Sequence, residues 1–101
     1  MIEDARLLEE AGASLLLLEC VPTLLAEEIT RNADIPVIGI GAGPHTDAQV
    51  LVLHDMLNIT TGRKPRFTRN FMAGADSIET AIRRYNDAVK NGSFPNQDES
   101  F

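Results

Sequence analysis

An α/β fold built on a parallel sheet is what this 101-residue sequence predicts, and three observations predict it. Two brief apolar runs, Ser14-Leu15-Leu16-Leu17-Leu18-Glu19 and Ile35-Pro36-Val37-Ile38-Gly39-Ile40-Gly41, lack the polar alternation of a half-solvated strand and suit strands buried on both faces. Between them Val21, Leu24, Leu25 and Ile29 recur at helical spacing, which makes a βαβ unit. Near the C-terminus Ile78, Ala81, Ile82, Tyr85, Ala88 and Val89 trace one apolar helical stripe.

The first element is a short helix from Glu3 to Ala11, with Ala5, Leu8 and Ala11 near one face and Gly12 placed to end it in the left-handed conformation. The first strand follows and ends on a carboxylate, Glu19. Pro22 suits the first turn of the next helix, Glu27 and Glu28 face away from the apolar stripe, and the helix fades between Asn32 and Asp34. The second strand opens into Ala42-Gly43-Pro44, a glycine-rich turn. Gln49 to His54 is assigned as a third strand, with a helix starting from Asp47 as the alternative. Thr60 to Phe71 is a long irregular connection in which Arg63, Lys64, Arg66 and Arg69 interleave with Pro65, Phe67 and Phe71. Asp76 and Glu79 resemble a capping arrangement for the last helix, which stops before Gly92. Residues 93–101 are expected to run as an extended tail over the surface or onto a partner, the whole of 1–101 belonging to a single domain. Two or three such strands need cover on both sides, and this length supplies only part of it, so a piece of a larger α/β fold or an obligate assembly is implied.

Composition narrows the function classes. Nine Lys and Arg against 15 Asp and Glu leave a net charge of −6, which disfavours nucleic acid and anionic membrane surfaces as partners. The single cysteine forms no internal disulfide and belongs to no metal-binding cysteine cluster, so a reducing cytoplasm fits. No basic segment followed by an apolar core opens the chain, and no apolar run approaches the roughly 20 residues that span a bilayer.

Glu19 is the foremost candidate for chemistry, because the C-terminal end of a buried strand is where α/β barrels place catalytic groups. Its apolar neighbours Cys20, Val21 and Pro22 are expected to desolvate it and raise its basicity; the alternatives are that it caps the following helix or pairs with an arginine. Gly39-Ile40-Gly41-Ala42-Gly43 resembles an anion-cradling loop but lacks the G-x-G-x-x-G spacing and any P-loop lysine, so a tight turn that shapes a pocket is the simpler meaning. His45 with Asp47 and His54 with Asp55 lack two further ligands at a metal-site spacing and are read as hydrogen-bonding or contact residues. Cys20 has no histidine nearby in sequence and is expected to pack in the interior. The Arg63–Arg69 cluster has the charge to attract an acidic cofactor tail, with a solvated loop or subunit contact as the commoner meaning of such a run.

Taken in order, Leu18-Glu19-Cys20-Val21-Pro22, Pro36-Val37-Ile38-Gly39-Ile40-Gly41-Ala42-Gly43, Gln49-Val50-Leu51-Val52-Leu53-His54-Asp55-Met56-Leu57 and Asn91-Gly92-Ser93-Phe94-Pro95 resemble the C-terminal part of the ketopantoate hydroxymethyltransferases across essentially the whole chain. Two positions depart from the family's pattern: Ala48, where glycine usually precedes the glutamine, and Asn58, where glycine commonly follows the HDML segment.

The resemblance implies a (β/α)8 barrel of the phosphoenolpyruvate/pyruvate type, of which this chain is the C-terminal part, about three βα units. It implies transfer of a hydroxymethyl group from 5,10-methylenetetrahydrofolate to 3-methyl-2-oxobutanoate, giving 2-dehydropantoate for pantothenate biosynthesis. It implies Mg2+ as cofactor, holding the oxo acid and acidifying its C3 proton, with metal ligands outside this chain. The family's proton-accepting glutamate falls on Glu19, and homo-oligomers or association with the N-terminal half are the implied partners. No folate-contacting residue is assigned, and the 101 residues alone are expected to be incomplete for catalysis. Two rivals stand beside this: a related Mg-dependent 2-oxo acid lyase or mutase barrel, and a non-catalytic truncated paralogue that serves as an assembly partner.

Overall fold

Strands β1 (Leu16–Glu19) and β2 (Val37–Ile40) form where apolar side chains are densest, and they pair in parallel with Leu16 opposite Val37 and Glu19 opposite Ile40. The structure is a computed structural model that describes all of residues 1–101. Helix α1 (Ile2–Glu10) precedes β1, helix α2 (Thr23–Asn32) joins the two strands, and a two-residue strand β3 (Ala48–Gln49) extends the sheet in the order β1-β2-β3. The architecture is therefore α/β with a parallel sheet.

Side chains alternate across a strand, so β1 and β2 each present two faces. Leu16, Leu18 and Val37 turn toward α2 and form a first core with Val21, Ala26, Ile29 and Ala42. Leu17, Ile38 and Ile40 lie on the opposite face, where Leu17 remains 57% exposed and the two isoleucines are only half-buried. As the length implies, only part of the two-sided cover is present: α2 and α1 supply one layer, and the face of Leu17, Ile38 and Ile40 is left largely open.

The helices also differ in detail from their predicted stripes. Ala26 and Ile29 carry the buried face of α2, whereas Leu24 is 78% exposed. Helix α1 has no buried residue and touches the core through half-buried Ala5. It ends at Gly12 as expected, with φ +105 and the Ala13 N–H donating to Leu8 O.

The predicted third strand over Gln49 to His54 is corrected. Pairing stops after Gln49, and the chain turns at Val52, whose carbonyl accepts from both Asp55 and Met56 N–H at 3.0 Å. A short helix α3 (Leu53–Met56) results, because Met56 and Leu57 are drawn into a second core rather than along the sheet. That core joins them to Phe71, Phe94 and, from helix α4 (Ile78–Lys90), Ala81 and Ala88. Phe71, Tyr85 and Phe94 meet edge to face with ring centroids 5.4–5.8 Å apart, a favoured aromatic arrangement. The cap of α4 is Ser77, whose hydroxyl accepts from Thr80 N–H at 3.1 Å; Asp76 instead accepts from the Thr80 hydroxyl at 2.6 Å. Ile78 and Ile82, predicted to lie on the packed stripe, are exposed.

Residues 93–101 are not an extended surface tail. Phe94, Pro95, Glu99 and Ser100 are buried, and Gln97–Glu99 form a 3-10 turn closed by a capping box between Asn96 and Glu99. No helix is long and apolar enough to cross a membrane.

Candidate functional site

Glu19 occupies the last position of β1 and shares its sheet face with Leu17, opposite Ile40 on β2. The chain then turns sharply: Cys20 adopts φ +53, a left-handed conformation uncommon outside glycine, while its N–H donates to Ile40 O at 3.0 Å. Residues held in such conformations are concentrated at functional turns. Val21, next along, is only 2% exposed and belongs to the first core. The backbone thus swings Val21 inward and leaves Glu19 and Cys20 on the surface.

Two expectations are corrected by this geometry. Cys20 is exposed rather than packed in the interior. Cys20 and Val21 do not enclose the Glu19 carboxylate, since one is exposed and the other points into the core. Nor does Glu19 take either structural alternative. It forms no ion pair or side-chain hydrogen bond, and the first turn of α2 is met instead by Phe101 O, which accepts from Thr23 N–H and from the Thr23 hydroxyl, each at 3.2 Å.

The glycines of the β2 turn are explained by neighbouring side chains. A Cβ at Gly41 would lie 2.8 Å from Phe67 Cδ2, and one at Gly43 would lie 2.6 Å from Thr23 Oγ1, and both residues have positive φ. The turn therefore admits Phe67 and Thr23 against its backbone, the close approach that its glycines allow. A groove of about 330 Å3 opens beside it, lined by Thr23, Pro44, His45, Pro95, Gln97 and Phe101 among others.

Neither histidine–carboxylate pair makes a metal site. Asp47 Oδ2 accepts from Val37 N–H at 2.8 Å and so ties the start of β2 to the loop before β3. Buried Asp55 accepts from the Thr60 hydroxyl at 2.6 Å. No three His, Cys, Asp or Glu side chains converge in the way a metal ion requires. The residues of this chain do not by themselves fit a Mg2+ site.

The basic connection does more than the solvated loop or subunit contact read from it. Arg69 is bound to Glu99 and to Ser93 O, and its guanidinium lies over Phe71 and Phe94 at 5.5 and 5.1 Å. Arg66 donates to Ser100 O and stacks on Phe101 at 4.5 Å. These contacts fold residues 93–101 back across the C-terminal end of the sheet. The Asn96/Glu99 box was the one local signal for this ordering; the arginine contacts span 24 to 34 residues and leave no local mark.

Comparison with known proteins gives a consistent result. The model of the ketopantoate hydroxymethyltransferases matches residues 1–97. This chain belongs to that family. A relative from Marinobacter nauticus named 3-methyl-2-oxobutanoate hydroxymethyltransferase is 61% identical over 101 residues. Relatives from Hahella chejuensis, named 3-methyl-2-oxobutanoate hydroxymethyltransferase 2, and from Schizosaccharomyces pombe, named probable 3-methyl-2-oxobutanoate hydroxymethyltransferase, are 57% and 55% identical. Each alignment covers all of this chain, which spans 38% of the length of these relatives. Asn58 adopts φ +59, a left-handed conformation that asparagine accepts more readily than most residues other than glycine.

Proposed function

We propose that these residues form the C-terminal part of a (β/α)8 barrel of the phosphoenolpyruvate/pyruvate type that transfers a hydroxymethyl group to 3-methyl-2-oxobutanoate, with Glu19 as the base. The observation that carries this is the position of Glu19: at the C-terminal end of a parallel strand, on the uncovered sheet face, with no hydrogen-bond or ion-pair partner to occupy its carboxylate. Relatives named for the same reaction support the substrate class.

In this reading the Glu19 carboxylate accepts the proton from C3, and the C–H electron pair becomes the enolate of the oxo acid. Water hydrolyses 5,10-methylenetetrahydrofolate: both C–N bonds of the methylene carbon break, the two nitrogens take up the protons of water, and the oxygen stays on carbon as a formaldehyde-level carbonyl. C3 bonds to that carbon, the C=O electron pair becomes an alkoxide, and the alkoxide takes the proton held by Glu19. Mg2+, if bound by ligands outside these residues, would make the C3 proton more acidic. The uncovered face of Leu17, Ile38 and Ile40 is closed by the other barrel strands, in a cytoplasmic homo-oligomer.

The test uses a full-length chain in which residues 1–101 replace the matching segment of the Marinobacter nauticus relative, called the grafted enzyme below. In deuterated water, without folate, it exchanges the C3 proton of the oxo acid, and Glu19→Gln abolishes that exchange. Exchange at the unsubstituted rate in Glu19→Gln would overturn the assignment.

A further inference from the structure

The connection from Thr60 to Phe71 carries charge that the fold leaves unpaired. Arg63, Lys64, Arg66 and Arg69 belong to a chain of only nine Lys and Arg and net charge −6. Arg69 is neutralised by Glu99. Arg66 is held by an uncharged carbonyl and a ring, Arg63 and Lys64 are exposed, and none of these three makes an ion pair. Three uncompensated cations within four residues create a local positive potential on an acidic background.

Their position is set by Phe67, which sits between Arg66 and Arg69 in sequence and packs on Gly41. The Cβ position of Gly41 is also 3.4 Å from Cys20 N, the residue after Glu19. The ring next to Arg66 therefore rests on the backbone beside the candidate base, which brings Arg66, and with it the exposed Arg63 and Lys64 three and two residues before, into the neighbourhood of the sheet end at which Glu19 is exposed.

We infer that Arg63, Lys64 and Arg66 receive the carboxylates of the glutamyl portion of the co-substrate, which rests on the folate assignment of the proposed function. That co-substrate has two ends. Its methylene carbon must reach the oxo acid at Glu19, so its glutamate end points out of the mouth, where ionised carboxylates meet the rim. Arginine pairs with carboxylates through a planar fork and lysine as a point charge. An open rim also suits a tail carrying a variable number of glutamates. The carboxylate of the oxo acid is a poorer match, because it lies two bonds from C3 and must stay within the site itself.

The test compares the grafted enzyme with Arg63→Gln/Lys64→Gln, using Arg31→Gln/Lys90→Gln, in the last turns of α2 and α4, as the charge-matched control. Calorimetric titration with a γ-linked triglutamate peptide should show affinity falling roughly tenfold in the rim variant, the order for two lost surface charge contacts, and falling with added salt in the unsubstituted protein. The kcat/KM preference for triglutamyl over monoglutamyl co-substrate should collapse toward unity in the rim variant and persist in the control. Unchanged peptide affinity and preference, absence of peptide binding to the unsubstituted graft, or a rise in KM for the oxo acid in their place would overturn the inference. So would a changed oligomeric state with the preference intact, which would assign the cations to a subunit contact. An unsubstituted graft that fails to turn over refutes the proposed function, while the peptide titration still decides the rim.

Discussion

Arg69 and Glu99, 30 residues apart, form a bidentate pair with Nε–Oε2 at 2.8 Å and Nη2–Oε1 at 2.7 Å. Arg69 is 30% and Glu99 11% exposed, so the pair is partly withdrawn from water and joins the basic connection to the folded tail. Removing one partner strands the other charge. Arg69→Met in the grafted enzyme should destabilise it by about 2–3 kcal/mol, and Arg69→Lys by less, since lysine keeps the charge but not the fork. Denaturant unfolding checks both, and equal losses would show that the fork geometry is irrelevant.

Glu19→Gln should lower turnover by about two to four orders of magnitude, the range for losing a general base. On the proposed reading, affinity for the oxo acid should stay nearly intact, because a metal held outside these residues would anchor the substrate. Single-turnover kinetics together with equilibrium binding separate the two quantities, and a weakened affinity with normal turnover would contradict the assigned role.

Gly43 and Gly62 both have positive φ, +78 and +81, but differ in surroundings. Alanine at Gly62 meets open space and carries only the backbone strain of about 1–2 kcal/mol. Alanine at Gly43 meets Thr23 Oγ1 at 2.6 Å as well, so Gly43→Ala should destabilise by at least about 1 kcal/mol more. Thermal unfolding of the pair gives the difference directly, and Thr23→Ser should recover part of it.

The Tyr85 hydroxyl is buried without a hydrogen-bond partner, and burial raises the phenol above its ordinary value of 10.0. A raised folded-state value means the neutral form is favoured in the fold; that advantage is complete below pH 10.0 and is lost as pH rises through the folded value. Tyr85→Phe should stabilise by about 1 kcal/mol at neutral pH by removing an unsatisfied group. It should also flatten the alkaline loss of stability, measured by unfolding between neutral pH and about pH 11.

The 101 residues by themselves should be aggregated, molten or partner-bound and show no hydroxymethyl transfer when Mg2+ and the folate are supplied. Leu15 and Leu17 are exposed on β1 and its approach, and three strands cannot close a barrel. At about 25 cal/mol per Å2, a few hundred Å2 of uncovered apolar surface forfeits several kcal/mol, comparable with the stability of a small domain. A monodisperse, cooperatively melting, active monomer in purification and assay would refute this.

Much of this organisation was legible locally. Apolar runs marked β1 and β2, Gly12 marked the end of α1, and Glu19 at a strand terminus was named from position alone. Where local signals competed, the outcome was not legible. Val50 to His54 is apolar enough for a strand, yet Met56 and Leu57 find a better-covered place beside Phe71 and Phe94, and the segment turns into α3. The Cys20 turn was equally hidden, because a residue's burial depends on how the backbone around it twists.

By itself, then, the amino-acid order determined the parallel α/β character, the βαβ unit, the family and the position of the candidate base, since each rests on spacing within a few residues or on contiguous motifs. Tertiary structure alone decided that Phe67 packs on Gly41, that Thr23 and Phe101 close the first turn of α2, and that Arg69 and Glu99 hold the tail in place. Those contacts join residues 26 to 78 positions apart. They form because the two cores bring the segments together, and nothing in either segment's own composition specifies its partner.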